Sequence, residues 1–419
     1  MLIHSASQLL TIAGGPQRGP KLGNLEVIKD GAVLIERGVI VETGPSEDLL
    51  SKYPHQEQID ARGRVVMPGF VDPHTHVLWV GDRAREFELR TQGKSYLEVM
   101  EAGGGIVSTV KATRKASLAD LKSQTRKRLQ TMFAHGTTTI EAKTGYGLEM
   151  ESELRSLQAY LELAEEVPQD LVITFLGAHA VPLEYAGDPE GYTALVCREM
   201  IPGIKKWWSK HTSRTLPFVD VFCEEGAFNL SQSRLILETA QRLGFPVKIH
   251  ADEFKNLGGA RLAAELGAVS ADHLVVTSQK DIEALAGSDT VAVALPCTPF
   301  GLAEGDYTPA QEILSAGGLL AVATDLNPGT AWCESMQFAV ALACRYMNLS
   351  PSQAIVSATI NAAAAVGKES EVGSLEPGKK ADIIILDVSD YRHLGYRFGT
   401  NLVHSVIKDG KYVPSEEFS

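Results

Sequence analysis

The residues most able to do chemistry stand in Val65–His76, which reads VVMPGFVDPHTH. Side chains on a strand alternate between its two faces, so residues two apart share a side. His74 and His76 therefore leave the strand end pointing the same way. Two converging imidazoles suit a borderline metal such as zinc or iron. H-x-H alone is a weak signal, because any surface strand can carry it. Its weight depends on what the rest of the chain brings to the same place.

Eight apolar, β-rich runs follow one another: Val65–Val71, Thr137–Ala142, Leu171–Gly177, Phe218–Cys223, Pro246–Ile249, Ala268–Ala271, Thr290–Leu295 and Leu319–Ala323. Helical patterns lie between most of them, at Ser95–Ala134, Met150–Glu166, Ser231–Leu243, Leu257–Leu266 and Ser278–Ala286. Eight such units predict an α/β fold, a TIM-type (β/α)8 barrel. An open doubly wound sheet is the alternative. The barrel is preferred because polar clusters fall just after the strand ends, where such a barrel builds its site. In order they are His74, His76, Asp82 and Arg83; Glu141, Lys143, Thr144 and Tyr146; His179; Cys223, Glu224 and Glu225; His250 and Glu253; Asp272 and His273; Cys297; and Asp325, Asn327 and Thr330. One histidine after a strand is more often a hydrogen-bonded structural residue than a ligand. A lone Asp before Asn-Pro is usually a turn former. Five of the 11 histidines and an Asp, all at strand ends, make a poor coincidence.

The two ends of the chain read differently. Gly31–Gly44, GAVLIERGVIVETG, predicts a β-hairpin turning at Gly38. KKADIIILDVSD and LVHSVIKDGKYV near the C-terminus are again strand-like. One small composite β-sandwich from both termini, with the barrel inserted, is the economical arrangement. The expected division is 1–63 and 368–419 for the sandwich and 64–367 for the barrel.

Bulk properties exclude several classes. The 419 residues are 44% apolar and 22% charged, as in an ordinary globular protein. Net charge is −13, with 39 basic against 52 acidic residues and no basic run, so nucleic acid is not an expected partner. Five widely spaced cysteines with no C-x-x-C suggest a reducing compartment. The N-terminus lacks a signal-peptide pattern, and no apolar run approaches the roughly 18 residues of a membrane span. A cytoplasmic protein without a membrane partner is expected.

PGFVDPHTH, HADE, ADHL, ATD and GSLEPGKKADIIILD together resemble the metal-dependent amidohydrolase superfamily, along essentially the whole chain. DPHTHVLWVGDRAREFELR, GGGI, TTIEAKTGYGL, TFLGAHAVP, KIHADEF and ATDLNPG resemble one branch of it. That branch opens the ring of 4-imidazolone-5-propanoate in histidine degradation and yields N-formimidoyl-L-glutamate. The resemblance implies metal ligands at His74, His76, His250 and Asp325 and one divalent or trivalent ion per subunit, zinc or iron. Members with two metals use a carboxylated Lys after the fourth strand; FVDVFCEEG has none, which argues for a single ion.

The same resemblance implies roles. His273 orients or deprotonates the attacking water or stabilises the oxyanion, with Asp325 sharing the base function. Glu253, three residues past His250, protonates the ring nitrogen; its alternative is a carboxylate in the first turn of a helix. Arg83 clamps the substrate carboxylate, although Arg85 and Arg90 compete and Glu86 and Glu88 could reduce all three to surface ion pairs. Tyr146, His179, Asn327, Gly329 and Thr330 contact the substrate or product. The family also implies a homodimer. Gly103–Gly105 lacks the Lys-Ser/Thr of a phosphate loop and is expected near the barrel mouth, as a lid. Cys223, Cys297 and Cys333 are expected to be small buried fillers.

Rival readings are a deaminase of a nitrogen heterocycle, a dihydroorotase-type cyclic-amide hydrolase, and a non-catalytic relative that kept the barrel. A deaminase acting on a neutral base needs no carboxylate clamp, the missing Lys disfavours the second, and lost ligands would mark the third.

Overall fold

The computed structural model describes residues 1–93 and 104–414. Strands β1 (Leu2–Leu10), β2 (Val27–Glu36), β3 (Val39–Pro45), β4 (Gln58–Asp60) and β5 (Val65–Pro68) precede the barrel. The barrel strands are β6 (Phe70–Asp72), β7 (Thr137–Lys143), β8 (Asp170–Ala178), β9 (Phe218–Cys223), β10 (Lys248–Ala251), β11 (Ser270–His273), β12 (Val291–Ala294) and β13 (Leu319–Val322). They pair in sequence order, each parallel to the next. Runs such as VAVA and LLAV are buried along their whole length, as parallel strands covered on both faces must be. Strands β14 (Ile383–Leu386), β15 (Val403–Lys408) and β16 (Lys411–Pro414) follow.

Both termini build one sheet in the order β16-β15-β14-β5-β1-β2-β3, with β4 on β1. Ile3, Leu9, Val33, Ile35, Ile383, Ile385 and Ile407 share one core, so the two ends of this sheet fold over each other. The predicted hairpin turns at Gly38, whose φ is +80° and which lies against the Asp409 carbonyl.

The run Val65–Val71 is not one barrel strand. Val65–Pro68 pairs with β1 and β14 in the terminal sheet, and only Phe70–Asp72 enters the barrel. The change occurs across one residue: the Gly69 amide donates to Asp382, and the next amide, Phe70, donates to Gly136. A Cβ on Gly69 would come within 2.4 Å of Thr138 Oγ1, so no larger side chain fits at the crossing.

Between β6 and β7 the helical pattern read at Ser95–Ala134 is broken. Helices cover Ala84–Thr91, Ile106–Lys115 and Leu118–Ala134, the last opened by a reciprocal Ser117–Asp120 cap. The first part of that pattern, and Gly103, lie outside the described residues. Gly105 takes φ +75° as the residue before Ile106–Lys115. Among the described residues no helix is long and apolar enough to cross a membrane.

Candidate active site

Barrel closure builds the site. β13 and β6 meet through the residues just beyond their ends. The Asp325 amide donates to the His74 carbonyl at 3.1 Å, and the His76 amide donates to Leu326 at 2.8 Å. Thr75, between them, accepts from the Lys143 amide on the opposite neighbour. Thr324 adds two bonds to the Asp72 carboxylate, at 2.5 and 3.1 Å. Asp325 sits at φ +54° and His273 at φ +80°, conformations a non-glycine residue holds only where its surroundings impose them.

The expected imidazoles and carboxylate converge. His74 Nε2 and His76 Nε2 each lie 3.5 Å from Asp325 Oδ1, so both rings turn to the same side. His250 Nε2 is 3.3 Å from His76 Nε2. His273 offers a nitrogen within 4.8 Å of His74 and His250, so it stands closer to the centre than a purely outer residue. His74 Nδ1 meets Asp272 Oδ2 at 2.6 Å, and His250 Nδ1 lies 3.0 Å from Asp220 Oδ2. The Asp272 carboxylate on His74 Nδ1 holds the ring proton there and leaves the Nε2 lone pair free, whereas Asp220 stands beside His250 Nδ1 without a formed hydrogen bond. His74 Nε2 and Asp325 Oδ1 are buried without any hydrogen-bond partner. The unpartnered His74 Nε2 and Asp325 Oδ1 thus share one buried space with the Nε2 atoms of His76 and His250, an arrangement that fits a cation.

Electrostatics agree. Burial, reinforced by Lys143 and neighbouring histidines, holds His74 well below the usual imidazole range. Burial does the same to His76 and His273, with His179 and His250 as the respective leading neighbours. Burial pushes Asp325 up to about 6, against the hydrogen bond it accepts from Thr298 Oγ1 at 2.5 Å. That bond uses Oδ2 and leaves Oδ1 facing the histidines.

Glu253 stands in the loop after β10, and the next helix starts only at Gly259, so the first-turn reading is excluded. Its Oε2 lies 3.6 Å from His273 Nδ1. Burial, then the Asp325 charge, raises it well above its ordinary value, which favours its protonated form. His179 Nδ1 donates to the Gly145 carbonyl at 3.0 Å, its ring stacks on His76 at 4.8 Å, and burial lowers it to about 3. Tyr146 is buried beside it, with ring centroids 5.3 Å apart. Gly145, at φ +113°, lets this loop pass the Leu176 carbonyl.

Arg83 and Glu86 are not a surface pair. Arg83 Nε donates to Glu86 Oε2 at 2.7 Å and Nη2 donates to Oε1, with Glu86 only 7% exposed. Glu86 also accepts from the Gly105 amide at 2.8 Å. Arg83 Nη1 lies beside Gly329, where a Cβ would sit 2.1 Å away, so glycine leaves room for the guanidinium. Arg85 is exposed, and Arg90 donates to the Gly329 carbonyl at 2.9 Å. Asn327 is fully engaged inside its own loop: Oδ1 accepts from Gly329 and Thr330 amides, and Nδ2 donates to the Asp325 carbonyl and Thr330 Oγ1. These bonds fix the shape of the loop that carries Gly329 and Thr330. Cys223 and Cys297 are buried; Cys333 is only half-buried.

Sequence reasoning missed Asp220, Lys248, Thr298 and the function of Glu86. For two of them a signal existed. A charge inside the apolar runs FVDVFC and PVKI survives burial only if it is paired. Nothing local marks Thr298 or Glu86.

Comparisons with known proteins come to the same place. Residues 65–413 match the amidohydrolase family, and residues 31–55 match an imidazolonepropionase-like composite domain of bacteria. An imidazolonepropionase of Herpetosiphon aurantiacus is 51% identical over 98% of this chain and 96% of its own length. One of Chloroflexus aggregans is 47% identical over 100% of this chain and 99% of its own. Solved structures share the fold at lower identity. An adenosine deaminase from Xanthomonas campestris with bound zinc has a TM-score of 0.72 at 20% identity, over 98% of this chain and 92% of that one. A triazine hydrolase variant has 0.75 at 15%, over 100% and 97%.

Proposed function

The chain belongs to the amidohydrolase family and, within it, to the imidazolonepropionases, and from that premise we propose how its residues carry the reaction. The reaction is hydrolysis of the cyclic amide C–N bond of 4-imidazolone-5-propanoate, giving N-formimidoyl-L-glutamate. The observation that carries the reading is the set of unpartnered, buried acceptors on His74 and Asp325 facing His76 and His250.

His74, His76, His250 and Asp325 would hold one metal ion per subunit, zinc or iron. When bound, such an ion acidifies a water to near pH 7 and polarises the scissile carbonyl. His273 directs the water and takes its proton or steadies the oxyanion; Asp325 shares the base role. Glu253, whose burial favours the protonated form, delivers a proton to the leaving ring nitrogen. Arg83, braced on one edge by Glu86, offers Nη1 to the propionate tail. The Tyr146 hydroxyl and His179 Nε2 complete the pocket. Asn327, Gly329 and Thr330, on the Arg83 side, contact the substrate or the opened product.

A deaminase reading has fold neighbours in its favour, but the braced Arg83 argues for an anionic substrate. The working domain division keeps the sandwich–barrel–sandwich order, with the first boundary moved from 63/64 to Gly69. A homodimer and a cytoplasmic setting complete the proposal.

The test is turnover by the metal-analysed protein, followed as loss of imidazolonepropionate absorbance, with Arg83→Ala and His273→Ala beside it. No turnover by metal-replete wild type sinks the substrate assignment. Unchanged activity in His273→Ala removes that residue from the mechanism.

A further inference from the structure

Beneath the imidazoles lies a sealed cluster of charges that the mechanism above does not use. Lys143 of β7 and Lys248 of β10 are both fully buried. So are Glu141, Asp220 and Asp272. Lys143 Nζ contacts Asp220 Oδ2 at 2.7 Å and Glu141 Oε1 at 2.9 Å, and stands 3.6 Å from Asp272 Oδ2. Lys248 Nζ contacts the same Glu141 oxygen at 2.9 Å and stands 3.7 Å from Asp272 Oδ2. Thr174 donates to Glu141, and Ser270 to the other oxygen of Asp272, each at 2.6 Å.

We propose that Lys143 and Lys248 are positioning residues for the metal centre, acting on His74 and His250 through Asp272 and Asp220. The inference rests on the reading that these histidines hold a metal. Asp272 is the carboxylate on His74 Nδ1, and Asp220 is the one beside His250 Nδ1. Three fully buried carboxylates repel one another unless fixed cations lie between them. The two ammonium groups occupy those places. Without them the carboxylates separate, the Nδ1 contacts lengthen, and the rings lose the orientation that sends Nε2 inward. A carboxylate behind a ligating histidine typically accounts for about 10–100-fold in metal affinity. Lys248 has a second route to the same end: it donates to the Pro73 carbonyl at 2.8 Å, one residue before His74. It thereby holds the backbone that carries both histidines of the H-x-H pair.

The competing account is that these lysines merely support the fold. Lys408 is the control: it too is a buried lysine among carboxylates, remote from the imidazoles. Lys143→Met, Lys248→Met and Lys408→Met are stripped of metal and titrated with zinc against a chromophoric chelator. Unfolding temperature is read in excess chelator, and the visible spectrum of each cobalt(II)-loaded form is recorded. The expected result is zinc affinity about 10–100-fold weaker in the first two variants. Their cobalt spectra change, whereas Lys408→Met loses stability with wild-type zinc affinity and spectrum. Folded Lys143→Met or Lys248→Met that binds zinc as wild type does overturns the proposal. If both methionine variants fail to fold, Lys248→Gln removes the charge and keeps a shorter polar group, and wild-type zinc affinity there overturns it equally. Wild-type protein that binds neither zinc nor iron overturns the proposed function and this inference together.

Discussion

The charge cluster under the imidazoles has a counterpart at the seam between barrel and terminal sheet. There Lys408 Nζ contacts Asp382 at 3.0 Å, Asp170 at 3.1 Å and Asp409 at 3.2 Å, and Lys380 reaches the same Asp170 at 2.8 Å. Two lysines form the centre of each cluster, with three carboxylates under the site and four in the seam, where Glu371 lies 3.7 Å from Lys380. In the seam, however, Asp170 is one-third exposed and Asp409 is half-exposed, so water reaches the ion pairs and can replace a lost partner. Under the site every member has zero exposure. The seam joins the first residue of β8 to strands from the C-terminal end, and its ions need only hold two surfaces together. The inner cluster ends on His74 and His250, so its geometry passes directly to the groups that would bind the metal. Composition alone does not separate these uses; solvent access and the neighbouring residue do.

Several experiments bear on this contrast. The largest effect is expected from stripping the metal or from His250→Ala, with activity falling to background while the seam, judged by cooperative unfolding, persists. Activity that survives full metal removal breaks the contrast at its base. Glu253→Gln keeps size and loses the transferable proton, so kcat should fall by about 10²–10⁴-fold with zinc content unchanged. A change in zinc content instead would place Glu253 among the ligands. Glu86→Gln should loosen the brace on Arg83, raising KM by about 10–100-fold with kcat nearly constant, since a charge-assisted hydrogen bond contributes roughly 1.5–3 kcal/mol. An equal loss in kcat would show that Glu86 acts on the chemistry.

pH should act on the two regions through Asp325 and Asp382, both raised by burial from 3.8 to about 6. Under the proposed ligand set a bound ion needs the ionised Asp325, so zinc affinity should fall below pH 6, by up to about tenfold per unit for that proton. For the metal-free chain the sign reverses. A raised carboxyl pKa means the folded form takes up the proton more readily, so these groups favour folding most at low pH and lose that contribution as pH rises through about 6. Metal-free stability that climbs between pH 4 and 6 in step with Asp325 and Asp382 ionisation would contradict this assignment. The smallest effect is expected from Asp170→Asn in the half-open seam, about 1 kcal/mol or less, read from denaturant unfolding.

Much of the site was legible beforehand. The alternation that sends His74 and His76 to one side is a property of a few consecutive residues, and both rings do face Asp325. The apolar runs place His250, His273 and Asp325 at or just beyond strand ends for the same local reason. Val65–Val71 misled because both of its halves are apolar and extended; nothing in their pattern says that Pro68 and Phe70 belong to different sheets. Glu86 looked like a surface charge because its helix is mostly polar, and its burial comes from Arg83 and the Gly105 amide.

The sequence by itself determined the order of strands and helices, the inward pair just beyond the first barrel strand, and the residue types available at each strand end. Those depend on backbone periodicity and turn chemistry, which act over a few residues. Only the tertiary structure decided which charges meet. His74 and Asp272 are 198 residues apart and Lys143 and Asp220 are 77 apart, and closure of the barrel puts each pair in contact. Buried charges must be matched in space, and that matching is set by which strands become neighbours.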